Sequence, residues 1–122
     1  MMSDSMYPLP SMQTAALRKE RAPEPLAKFK SFSDTVFAEG ALPGKTKQLI
    51  AVAVAHVTQC PYCIRGHTAS ALKHGATQQE IMEAIWVAAE MRDCAAYAHS
   101  VLAIEEMNQQ HNAGGAGHGV HH

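Results

Sequence analysis

Hydrophobic positions recur along most of this chain at the spacing of an α-helix, and nowhere convincingly at the alternation of a strand. Leu26, Phe29, Phe32, Val36 and Phe37 predict one helix, with Gly40 as its stop. Pro23 and Pro25 interrupt whatever precedes them and suit the first turn of that helix. Upstream, Ser11 is placed to cap a short helix running to Arg21, behind an extended arm that contains Pro8 and Pro10. From Lys45 to Thr58 the chain is apolar almost all round past Leu49, as in a helix central to a core or lying in a subunit contact. Pro61 opens a further helix that reaches His74 and is stopped by Gly75. Thr77 followed by Glu80 is a capping-box pattern, and Ile81, Ile85, Ala88 and Ala89 give the apolar stripe of the helix it opens. A break near Arg92 and Asp93 and a last helix through Tyr97, Val101, Leu102 and Ile104 complete the reading. The expected fold is therefore all-α, a compact multi-helix bundle. Residues 1–22 form an arm and short helix, 23–111 the helical domain, and 112–122 a Gly- and His-rich tail expected to be mobile.

Composition narrows the function classes. The 122 residues are 47% hydrophobic and 17% charged, a core-forming balance. Ten Lys and Arg against eleven Asp and Glu leave a net charge of −1, which argues against nucleic acid and against a polybasic membrane contact. No apolar run is long enough to span a bilayer, and the amino terminus lacks the pattern of a secretory signal. Three cysteines do not make a disulfide scaffold, so the expected compartment is the reducing cytoplasm.

The informative segment is Cys60-Pro-Tyr-Cys63-Ile-Arg-Gly-His67. Two thiols three residues apart at a helix start can close a small disulfide. The first lies where unpaired backbone N–H groups and the helix dipole favour a thiolate. His67, four residues after Cys63, lies one turn along the same face and can take a thiol proton or hold the thiolate as an ion pair. That is the equipment of reversible two-electron thiol chemistry. Zinc is the competing reading, because Cys60, Cys63 and His67 are three possible ligands. All three come from a single helix, however, and His111, His118, His121 and His122 have no spacing that would complete a set. No metal and no cofactor is assigned. The thioredoxin-like context of a βαβ unit is missing, so the pair belongs to another scaffold.

The segment from Lys45 to Ile85 resembles the core of the alkylhydroperoxidase D (AhpD)-like proteins of the carboxymuconolactone decarboxylase superfamily. The likeness covers about residues 42–100. It is carried by Lys-Thr-Lys before an apolar helix, by Cys-x-x-Cys-x-x-x-His, and by Leu-Lys-x-Gly-Ala-Thr followed by Glu-Ile. It implies an all-α fold assembled as a homotrimer or hexamer, with thiol peroxidase or disulfide-reductase chemistry. Carried over by position, Cys63 is the thiol that meets a hydroperoxide, Cys60 the resolving thiol and His67 the proton partner. An external dithiol of lipoyl or thioredoxin type is the implied reductant. The peroxidases of the family carry a relay Glu twelve residues before the first Cys, and Gln48 stands there in this chain. A Gln hydrogen-bonds but does not accept a proton at neutral pH. His56, four residues before Cys60, is a candidate to compensate, as are Glu83 and Glu90 on the following helix. The decarboxylase and hydrolase branches do not depend on the cysteine pair, whose presence argues against them.

Other conspicuous residues have plainer readings. His56 fits a satisfied histidine on an apolar helix, and Cys94 a small buried hydrophobe. His74 suits a helix C-terminus. Tyr62, between the cysteines, shapes access to the thiols or is covered by a neighbouring subunit. Trp86, Met82 and Met91 fit a core or interface, and Arg65 and Lys73 face solvent.

Overall fold

The computed structural model describes residues 6–116 as five helices joined by short turns, with no strand among the described residues. The order is α1 (Met12–Arg21), α2 (Pro23–Phe37), α3 (Gly44–Thr58), α4 (Pro61–Lys73) and α5 (Gln78–Ala116). The boundaries follow from local chemistry. Ser11 Oγ accepts the Thr14 N–H at 3.2 Å and caps α1. Pro23 occupies the first turn of α2, where a missing N–H is harmless. Gly44 opens α3 with its N–H donated to the Glu39 carboxylate at 2.9 Å. A Cβ at 44 would press on that carboxylate and on the His74 ring, so both would have to shift to admit one. Gly75 ends α4 at φ +91°, a conformation that suits only glycine well.

α3 is the spine, packed against both α4 and α5. Gly44, Gln48, Val52 and Ala55 form its buried stripe, one residue per turn. Val52 meets Ala71 of α4, and Ala76 and Ile81 at the start of α5, with Leu49 and Ile85 alongside. Ala71 and Ala76 are small enough to let the backbones approach closely. The other side of α3 carries Ile50, Val54 and Val57 outward, so the apolar circumference read from sequence is only half covered by this chain.

The capping box forms as expected. The Thr77 N–H donates to Glu80 at 2.9 Å and the Glu80 N–H to Thr77 Oγ1 at 3.0 Å. Lys45 adds an ion pair to Glu80 at 3.0 Å, tying the start of α3 to that of α5. The Thr77 N–H, and then Lys45, hold the Glu80 carboxyl below its ordinary range. Its contribution to stability is therefore complete above that range and is lost as pH falls through the lowered value. Thr77→Ala should lower unfolding stability by about 1 kcal/mol in a denaturant titration. Glu80→Gln should flatten the loss of stability on acidification.

Three expectations are corrected. No break occurs at Arg92 and Asp93, because α5 runs unbroken for 39 residues. Neither residue interrupts a helix as Gly or Pro would. Arg92 Nη1 instead donates at 2.7 Å to Val57 O, a carbonyl in the last turn of α3, and so joins the two helices. Residues 112–116, expected in the mobile tail, continue α5, and 117–122 lie outside the described residues. Every residue from 89 to 112 is exposed, including Cys94, which is therefore not the buried small hydrophobe its composition suggested. Trp86 is 69% and Tyr97 81% exposed, so within one chain neither belongs to a core. No described helix is long and apolar enough to cross a membrane.

Candidate active site

α3 ends on Gln59, which adopts a left-handed conformation at φ 60° and turns the chain sharply. The Cys60 N–H reaches back to Ala55 O at 3.2 Å, and Cys60 becomes the N-cap of α4 with Pro61 behind it. A non-glycine in that conformation is strained by about 1 kcal/mol or more, a cost met here by the packing of α3 against α4.

The cap itself is a sulfur. Cys60 Sγ accepts the Cys63 N–H at 3.3 Å and lies 2.8 Å from Cys63 Sγ, and both residues are free thiols. The hydrogen bond from the Cys63 thiol, and then that from its backbone N–H, lower the Cys60 pKa. The same thiol contact raises that of Cys63, helped by burial and by the charge on Cys60. The contact therefore favours the thiolate on the cap residue Cys60 over Cys63. The sequence placed the favoured thiolate at that position.

His67 lies one turn beyond Cys63. Its Nδ1 is 2.8 Å from Gln48 Oε1. An amide oxygen only accepts, so Nδ1 carries the hydrogen, which in the neutral ring leaves the lone pair on Nε2. Gln48 is 7% exposed and held by the core stripe of α3, so this tautomer is built into the fold. On its face, His67 stacks with Phe37 from the end of α2, the ring centroids 5.1 Å apart and the planes 24° from parallel. Cys63, His67 and Phe37 line a cavity of about 430 Å³ whose other walls include Val36, Ile50, Ala51 and Val54.

Of the residues singled out by sequence, the structure brings together Cys60, Cys63, His67 and Gln48. His56 stands apart. Its Nδ1 donates to Val52 O of its own helix at 2.8 Å, and it is absent from the cavity wall, as are Glu83 and Glu90. His74 Nδ1 likewise donates to Ser70 O, closing α4. Tyr62 is half-exposed and meets Tyr7 edge-to-face at 6.1 Å, so the amino-terminal arm folds back over the Cys-x-x-Cys turn. Among the described residues no three His, Cys, Asp or Glu side chains gather as a metal set. His118, His121 and His122 lie outside the described residues. Sequence reasoning missed Phe37, whose helical spacing marked it as apolar without revealing that it would cover an imidazole from another helix.

A dithiol at a helix start, beside an imidazole fixed by a buried amide on an all-α scaffold, defines a class. Residues 23–106 match the carboxymuconolactone decarboxylase family, and the chain belongs to it. The AhpD-like likeness of the central segment thus holds at the level of the family. The chain is 62% identical over 81 residues to uncharacterized protein 4 in the cox locus of Paracoccus denitrificans, covering 66% of this chain and 73% of that one. A structure from Methanobacterium thermoautotrophicum superposes with a TM-score of 0.66 at 36% identity, over 70% of this chain and 98% of that chain. A carboxymuconolactone decarboxylase family protein from Legionella pneumophila gives 0.62 at 34% identity, over 77% of this chain and 87% of the other.

Proposed function

We propose that this chain is a thiol-dependent oxidoreductase of the AhpD-like type, which reduces hydroperoxides through a Cys60–Cys63 dithiol–disulfide cycle. The observation that carries the reading is the 2.8 Å approach of the two sulfurs at the start of α4, one turn from an imidazole in a fixed tautomer. A family relative from Thermotoga maritima, 25% identical with a TM-score of 0.50 over 67% of this chain and 94% of its own, gives added support. A part in the antioxidative response has been suggested for that relative.

In this cycle Cys63, the sulfur in the cavity wall beside His67, gives up its proton to the imidazole. Its sulfur then attacks the terminal oxygen of the hydroperoxide. The O–O bond breaks, sulfur becomes a sulfenic acid, and the organic fragment takes the proton from His67 and leaves as an alcohol. The Cys60 thiolate attacks Cys63 sulfur, the Cys60–Cys63 bond forms, and the hydroxyl leaves as water with one further proton. An external dithiol of lipoyl or thioredoxin type returns the pair to two thiols and becomes a disulfide itself. The proposal includes a reducing compartment, the cytoplasm, where such a dithiol pool is maintained. The test is hydroperoxide consumption with a dithiol donor, compared between the native chain and Cys63→Ser. Turnover that survives in the variant would contradict the proposal.

The same reading includes a homotrimer or hexamer. Phe29 and Phe32 on α2, Val54 on α3, and Trp86, Tyr97 and Leu102 on α5 are all more than half exposed, an apolar surface too extensive for a soluble single copy. Sedimentation at micromolar concentration should give three or six copies per particle, and a monomer would contradict the assembly.

A further inference from the structure

α2 makes few contacts with the rest of the molecule, and what holds its carboxyl end is specific. Lys47 Nζ, from α3, donates to Val36 O at 2.8 Å and to Ala38 O at 2.7 Å. These are carbonyls at the end of α2 that no helical N–H need satisfy, and the negative pole of the helix lies there too. The ammonium therefore holds both the partial charge and the direction of the backbone on either side of Phe37. Phe37 is the last residue of α2, and its ring lies on the imidazole of His67.

The two restraints on His67 differ in kind. The hydrogen bond from Nδ1 to Gln48 fixes one edge of the ring and its tautomer but leaves the ring able to swing about that axis. Stacking against Phe37 removes the swing. A phenyl face also attracts a cation, so it favours the imidazolium formed when His67 takes a proton. Gln48 brings no negative charge to that imidazolium, and the phenyl face supplies part of the missing attraction.

We infer that Lys47 is a positioning residue for the thiol reaction: by pinning the end of α2 it seats Phe37 on His67 and fixes the plane of the ring that serves Cys63. The chemical consequence rests on the oxidoreductase reading, but the geometry does not, and the experiment separates them. In proton spectra of the reduced protein, the His67 ring resonances, identified by their disappearance in His67→Gln, should be shifted upfield by the stacked phenyl. Cross-relaxation should link them to the Phe37 ring. Phe37→Leu should abolish the upfield shift. Lys47→Met should reduce it by half or more although both rings are present, Lys47→Gln should do the same, and Lys47→Arg should restore it. Alkylation of Cys63 by iodoacetamide at neutral pH, read in a Cys60→Ser background, should slow about two- to fivefold on adding Phe37→Leu or Lys47→Met, the equivalent of an exposed cation–π contact.

A Lys47→Met or Lys47→Gln protein that keeps the upfield shift, with alkylation of Cys63 not slowed, would overturn the inference. So would native protein without cross-relaxation between the two rings, a result that needs no variant to fold. All of these are read without peroxide. Native protein that shows the stack but consumes no hydroperoxide would sink the oxidoreductase reading and leave the positioning role standing.

Discussion

Cys63→Ser should consume hydroperoxide no faster than buffer, a loss of at least about a hundredfold, because a serine hydroxyl has neither the acidity nor the nucleophilicity of a thiol. Cys60→Ser should fail differently. Its Cys63 still attacks the first peroxide but meets no second sulfur, so the protein should consume one equivalent and stop as a sulfenic acid, trapped by a carbon-acid reagent such as dimedone. The contrast tests the division of labour as well as the need for sulfur. Two variants that stall alike, each after one equivalent, would mean that the sulfurs are interchangeable. The 2.8 Å contact makes the contrast demanding, because the Cys63 thiol is also the main cause of the lowered Cys60 pKa. Removing Cys63 should therefore shift alkylation of Cys60 to higher pH, and removing Cys60 should shift that of Cys63 to lower pH.

The second large effect belongs to Gln48. Its amide oxygen is the acceptor that keeps the hydrogen of His67 on Nδ1. Gln48→Leu keeps the bulk and removes the acceptor. The imidazole then loses its partner in a half-buried place, a penalty of about 1–3 kcal/mol, and the rate should fall roughly ten- to a hundredfold. Gln48→Glu keeps the acceptor and adds a charge. A carboxylate against the ring favours imidazolium, and imidazolium near Cys63 favours its thiolate. Peroxide consumption should rise, and the rate should reach half its plateau at lower pH than in the native chain. Burial of the new carboxylate opposes this by favouring its protonated form, and a fall in rate would contradict the expected rise. A Gln48→Leu protein with undiminished rate would show that the tautomer is not held for catalysis.

Much of the framework was legible because it is local. Ser11, Pro23, Gly75 and the Thr77–Glu80 pair act on backbone within a few residues of themselves, and each marks a helix end where the sequence placed it. The chemistry was legible for the same reason, since Cys60, Cys63 and His67 share one helix and spacing alone puts them together. Gln48 was reached through the family likeness and not through spacing, because nothing local says that α3 would turn its amide towards α4. Phe37 and Lys47 lay beyond reach. Their roles depend on how the end of α2 meets α3, a contact made by two backbone carbonyls that have no signature in side-chain pattern. Arg92 misled for a related reason: a charged pair inside an apolar stripe reads as an interruption, whereas its guanidinium reaches Val57 O on another helix. The outward apolar residues of α5 were predicted for a core or interface, and the structure of one chain leaves them uncovered.

Trypsin, which cuts after Lys47 and Arg65, releases both sulfurs in one peptide, residues 48–65. Native protein treated with one equivalent of hydroperoxide, then blocked and digested, should yield that peptide lighter by about 2 Da, with its original mass restored by a dithiol. A peptide of unchanged mass, or one heavier by about 16 Da per added oxygen with no bond between the sulfurs, would show that Cys60 and Cys63 do not act as a pair.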